Sequence, residues 1–148
     1  MADYPPRVAE LLDDISYVED RNDRLMMLID FADRFQEVPS TIAERPFPEA
    51  HRVQRCESEA YVWTEEKPDG TLKLHFAVEN PQGISAKAMA VILDETLSGE
   101  TAEEINKIDT DLVLRIFGKD LSMGKGQGLM GMVELTKVLA KRSLLGQP

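Results

Sequence analysis

Cys56 is the one thiol in a chain of 148 residues, and a thiolate is the side chain suited to attack on sulfur. It lies in Arg52-Val53-Gln54-Arg55-Cys56-Glu57-Ser58-Glu59-Ala60-Tyr61-Val62-Trp63. A single thiol cannot close an internal disulfide. It offers one ligand where a structural zinc site or an iron–sulfur cluster takes several, so any chemistry at Cys56 is done alone or across a partner interface. The histidines are His51 and His75. Pairing Cys56 with His51 would make the nucleophile and base of a thiol hydrolase. However, His51 falls in a loop and His75 on the solvated side of a strand, so both read as structural. Cys56, the histidines and the scattered carboxylates show no metal-ligand spacing, and no metal or cofactor is expected. A free cysteine is commonly a small buried hydrophobe. Against that, Cys56 is flanked by Arg55 and Glu57 and stands at a loop–strand junction. Spacing alone does not choose between the two.

Gly126-Gln127-Gly128-Leu129-Met130-Gly131 matches G-x-G-x-x-G. It is not a dinucleotide loop, because the segment before it is helical and the ribose-binding acid would fall past the last residue. Gly118 to Lys125 fails as a phosphate loop: it is one residue too long, and Gly126 stands where Ser or Thr would hold magnesium. The glycines read as a flexible approach to the last helix.

The elements that must position Cys56 follow from periodicity. Val8, Leu11, Leu12 and Ile15 predict a helix over 6–16, with Pro6 in its first turn. A second helix spans about 20–35, capped by Asp20, with Leu25, Leu28, Ile29, Ala32 and Phe35 as its buried stripe. Pro39, Pro46 and Pro48 keep 36–52 out of helix, and a loop of this length is expected to wall the approach to Cys56. Residues 59–65 and 71–78 form a hairpin about Lys67-Pro68-Asp69-Gly70-Thr71. Leu72, Leu74, Phe76 and Val78 share one face of it, and Lys73, His75 and Glu79 a wet one. A hairpin is marginal alone, so a third strand is expected near 52–56. A helix follows over 85–97. Thr101 and Glu104 make a capping box, Asp109 or Thr110 caps the next helix, and Leu129, Met132, Val133, Thr136 and Leu139 line the last. The fold class is α+β, a small antiparallel sheet of about three strands against several helices, in one domain over 1–148. Hairpin pairing brings Cys56 close to the start of the 85–97 helix. That helix end and Arg52 and Arg55 favour thiolate, while Glu57 and Glu59 oppose it.

The net charge of −10 argues against nucleic acid as a partner. No apolar run is long enough to span a bilayer, and the first residues are not a basic-then-apolar leader. The expected location is the cytoplasm, with no membrane partner.

The pattern V-Q-R-C-E-S-E-A-Y-V-W resembles the V-x-G-C-x-S-x-V-W signature of the SufE family, the sulfur-acceptor partners of cysteine desulfurases. L-S-M-G-K-G-Q-G-L-M-G-M resembles that family's L-T-x-S-R-x-x-G-L-x-x-M, and the likeness runs through nearly the whole chain. Arg55 stands where the family has glycine, Lys125 replaces an arginine, and Ala88 a glycine. The resemblance implies a fold like that of iron–sulfur scaffold proteins and a carrier rather than an enzyme. Cys56 would take persulfide sulfur from a SufS-like, pyridoxal-phosphate-dependent cysteine desulfurase, stimulate that enzyme, and pass sulfur to an iron–sulfur scaffold. Arg52, Arg55, Glu57 and Lys125 are the candidate partner contacts. A monomer and a homodimer both stay open. A thiol hydrolase and a non-catalytic binding module are the competing functions.

Overall fold

Hydrophobic periodicity and side-chain caps set the helix limits in the computed structural model of the chain, which describes residues 3–118 and 121–146. Helices α1 (Pro6–Ser16) and α2 (Arg21–Asp33) come first. Pro5 and Pro6 start α1 where a missing N–H costs nothing. The Asp20 carboxylate accepts from the Asp23 N–H to cap α2. Strands β1 (Ala60–Glu66) and β2 (Leu72–Val78) form the hairpin, and α3 (Ile84–Leu97), α4 (Ala102–Ile105), α5 (Asp111–Phe117) and α6 (Met123–Leu144) complete the α+β order.

The hairpin turns where its chemistry requires. Gly70 takes φ +84, and Asp69 accepts from both the N–H and the hydroxyl of Thr71. Register runs from Glu66 opposite Leu72 to Ala60 opposite Val78. Among the described residues the sheet has two strands, not the expected three. The 52–56 segment makes a single bridge, Arg52 to Tyr61, reinforced by the Val53 N–H donating to the Ala60 carbonyl at 2.8 Å. Pairing stops there because Arg55 turns the backbone to φ +60, which no strand can continue through.

One face of the hairpin meets α3 and α6 in the main core, built on Val62, Leu74, Phe76, Met89, Ile92, Leu93, Met132 and Val133. The other face is not simply wet. Val38, Trp63 and Ala77 are buried there, with Ile42, Ala43, Phe47 and Tyr61 packed on them. Segment 36–52 is therefore mainly a cover for the outer sheet face, and only its last residue, Arg52, walls the approach to Cys56. It is pinned by the Val38 N–H donating to the Phe76 carbonyl and by Arg45, which bonds both Glu37 and Glu79.

Two further expectations change. The stripe of α2 is half-open: Ala32 is buried, Leu28, Ile29 and Phe35 are half-buried, and Leu25 is exposed. The glycine-rich stretch is helix rather than link. Ser122 caps α6 by accepting from the Lys125 N–H, and Gly124 to Gly128 are its first turns. Of the Gly118 to Lys125 stretch, residues 119 and 120 lie outside the described ones.

Thr110 gives α5 no side-chain cap, and Asp109 turns instead to accept from the Tyr4 hydroxyl at 2.6 Å. This bond ties the segment before α1 to the start of α5. Burial first, then the bond to Asp109, holds the Tyr4 phenol well above its ordinary range. A raised acid of this kind stabilises the fold fully below about pH 10, the unfolded value. Above that pH the unfolded chain releases its phenolic proton while the folded chain keeps it, so stability falls. Tyr4→Phe is expected to cost about 1 kcal/mol at neutral pH and to flatten the alkaline decline. Urea unfolding of both chains at pH 8 and pH 11 checks this; equal declines would refute the coupling.

Candidate functional site

Cys56 sits where the hairpin ladder runs past its strands. The Asn80 and Glu79 N–H groups donate to the Ser58 and Glu59 carbonyls, and the Glu59 N–H donates back to the Cys56 carbonyl at 3.1 Å. Arg55 at φ +60 and Glu59 at φ +52 bound this turn, both in the left-handed region. The turn before the cysteine is thus kept even though arginine occupies the position that glycine would fill without strain.

Helix α6 presses on the loop from behind, and its glycines allow the contact. A Cβ on Gly128 would stand 3.2 Å from the Cys56 Cα and 3.4 Å from the Arg55 carbonyl oxygen. One on Gly131 would stand 3.0 Å from the Gln54 oxygen. At the start of α3, a Cβ on Gly83 would come within 2.9 Å of the Ser58 Oγ. Glycine at these three positions serves close approach, and two of them, Gly128 and Gly131, fall in the G-x-G-x-x-G stretch that the sequence reads as a flexible helix entry.

Cys56 is buried, 8% exposed as a residue. It borders a cavity of about 400 Å³ between α2, α3 and α6, whose apolar wall is Leu25, Ile29, Ile84, Ala86 and Leu129. Ser58, Asn80, Gln82, Ser85 and Lys125 supply its polar lining. Cys56 and the first turn of α3 share this cavity, as the hairpin pairing predicts. On its other side Cys56 borders a more open depression walled by Arg52, Gln54, Arg55 and Gln127. Glu57 and Gly124 border both openings.

All four candidate contact residues therefore gather around Cys56: Arg52 and Arg55 on the open side, Lys125 on the cavity side, Glu57 between. Arg52 is loosely paired with Glu49 at 3.8 Å. Leu25, Ile29 and Ile84 belong to the site although their apolar spacing marked them only as core or left them unassigned.

The histidines stand apart from it. The His51 Nδ1 is 2.8 Å from the Val62 carbonyl, which can only accept, so that nitrogen donates. The ring stacks on Trp63 at 5.3 Å. His75 is not on a solvated face: its side chain is 11% exposed and bonds Glu65 at 2.8 Å. That bond, before the smaller contribution of Lys67, holds the Glu65 carboxyl below its usual range. Neither histidine borders either opening beside Cys56. A second cavity, about 260 Å³, lies beside β2, between α3 and the segment that follows α2. Its charges are mutually paired, Lys73 with Asp94 at 2.5 Å and Arg34 with Glu95 at 3.0 Å. Among the described residues, no cluster of three or more His, Cys, Asp or Glu is placed to hold a metal ion, and no helix is long and apolar enough to cross a membrane.

A family model, SufE, described as the Fe-S metabolism associated domain, matches residues 9–140, from within α1 to within α6. The chain belongs to the SufE family. Membership associates it with iron–sulfur metabolism and sulfur transfer, and the match spans the Cys56 loop and every wall of the cavity. No curated protein matches the chain. Among solved structures, this SufE-family chain is similar to the solution structure of a hypothetical protein from Thermus thermophilus. The two are 22% identical, with a TM-score of 0.74 over 96% of this chain and 98% of that one. At that identity the likeness is one of fold.

Proposed function

We propose that this SufE-family protein is a persulfide carrier, working as one domain in the cytoplasm. A SufS-like cysteine desulfurase forms a persulfide on its own cysteine with pyridoxal phosphate, which this chain does not bind. The Cys56 thiolate attacks the terminal sulfur of that persulfide. A sulfur–sulfur bond forms at Cys56 as the donor's breaks, and the donor cysteine leaves with the electron pair as a thiolate. One sulfur moves with its proton, and no outside oxidant or reductant is consumed. Clearing the donor lets the desulfurase turn over again, and an iron–sulfur assembly scaffold takes the sulfur by the same exchange in reverse.

The observation that carries this reading is a lone, nearly buried thiol opening onto a cavity of about 400 Å³ with an apolar wall. Such a space can hold one more sulfur atom away from solvent thiols. No second cysteine in the chain can resolve the persulfide. The hydrolase alternative loses its base because the His51 ring lines a groove with Leu139 and Arg142 and borders neither opening beside Cys56.

Intact-mass spectrometry after incubation with a SufS-like desulfurase and cysteine tests it. The expected result is a gain of one or more sulfur atoms that dithiothreitol reverses. An unchanged mass, with the desulfurase active on its own, would refute the carrier role.

A further inference from the structure

Cys56 borders two openings of different chemistry. The cavity side has an apolar wall of Leu25, Ile29, Ile84, Ala86 and Leu129 beside its polar lining, and the open side presents Arg52, Gln54, Arg55 and Gln127. We propose that the open side is where the donor arrives. On this proposal Arg55 is a specificity-determining residue that grips a carboxylate on the donor segment carrying the persulfide. The inference rests on the carrier reading and adds to it a direction of approach and a partner chemistry.

Three observations converge on Arg55. Its φ of +60 is a conformation costly for any side chain and free for glycine, and backbone strain of this kind collects where a site uses the residue. The side chain does not offset the strain internally: Arg55 is exposed, and its guanidinium has no hydrogen-bond or ion-pair partner among the described residues. Its position also puts that unpaired cation on the wall of the same depression as the thiol.

Charge decides what the occupant is. The chain carries a net −10, so an acidic segment is repelled by most of its surface. Around the open side of Cys56, Arg52 and Arg55 share the rim with one acid, Glu57, and the loose pairing of Arg52 with Glu49 leaves Arg55 as the unpaired cation there among the described residues. An acidic donor loop is therefore steered to this rim and disfavoured elsewhere. Guanidinium presents a planar fork that matches a carboxylate at two points. The occupant is an Asp or Glu within a few positions of the donor's persulfide cysteine. Docked there, the terminal sulfur meets Cys56 from the polar side, and the transferred sulfur turns into the apolar cavity behind it.

The test measures sulfur uptake from a SufS-like desulfurase against carrier concentration at several salt concentrations, for wild type, Arg55→Gly, Arg55→Lys and Arg55→Glu. Arg55→Gly keeps the turn and removes the charge. Its half-saturating concentration is expected to rise about fivefold, its salt dependence to flatten, and its maximal rate and melting temperature to hold or rise. Arg55→Lys recovers part of the loss, and Arg55→Glu is worse than Arg55→Gly. An unchanged half-saturation and salt slope in Arg55→Gly overturns the inference while the carrier reading stands. A lowered maximal rate at unchanged half-saturation also overturns it, since Arg55 would then only shape the loop. If wild type itself takes no sulfur, the carrier reading falls and this inference falls with it.

Discussion

Serine in place of Cys56 is expected to leave the chain folded and, on the carrier reading, to abolish sulfur uptake. The loss is all-or-none because no other residue supplies a thiol, and a hydroxyl at neutral pH does not attack a persulfide. Folding survives because serine is slightly smaller and fits the same turn, which is held by the Glu59 N–H on the residue 56 carbonyl and not by the side chain. The cost is a buried hydroxyl where sulfur packed, about 1 kcal/mol. Intact mass and thermal melting, run on one preparation, separate the two effects. A variant that still gains sulfur would place the acceptor elsewhere. A variant that fails to fold would leave Cys56→Ala, which buries no polar atom, to give the same all-or-none result.

Much of this site can be read without coordinates, and the reasons it is readable are local. Asp69 and Gly70 dictate the turn, the alternation of Leu72 to Val78 picks the face that meets α3 and α6, and register then carries Cys56 to the start of α3. Helix limits at Asp20 and Thr101 follow from caps that act within three residues. What stays hidden depends on contacts distant in sequence. Val38 and Phe47 meet Trp63 across the sheet, so the proline-rich segment covers the outer face, and nothing in its own composition says which wall it joins. Leu25 has the spacing of a core residue yet lines the mouth of the Cys56 cavity at 54% exposure. That face of α2 is apolar where it walls the cavity beside Cys56 rather than the core. The third strand fails at Arg55, since a left-handed arginine is not something residue type announces. The glycines of α6 mislead for a related reason. Their low helix propensity predicts a link, while close packing against the cysteine loop favours glycine at that face of a helix already capped by Ser122.

That last point is open to a direct contrast within one helix. At Gly131 a Cβ would lie 3.0 Å from the Gln54 carbonyl oxygen and 3.1 Å from the Val53 Cγ1. The oxygen is backbone and cannot rotate away, so valine there must push α6 off the segment that leads into Cys56. Overpacking of this kind costs about 1–3 kcal/mol, more than the roughly 1 kcal/mol that losing a helical glycine returns. At Gly126 a Cβ would meet nothing within 4 Å, and alanine keeps only the propensity gain, below about 1 kcal/mol near the helix start. Gly131→Val is therefore expected to lower the urea midpoint and Gly126→Ala to raise it slightly. The consequence reaches the site, because the displaced residues are Val53 to Arg55. With its backing helix moved, Cys56 opens beyond its native 8% exposure and reacts faster with iodoacetamide in Gly131→Val, while Gly126→Ala alkylates at the wild-type rate. Equal midpoints and equal alkylation in the two variants would mean that α6 does not shelter the thiol, and the protection of a bound persulfide would need another source.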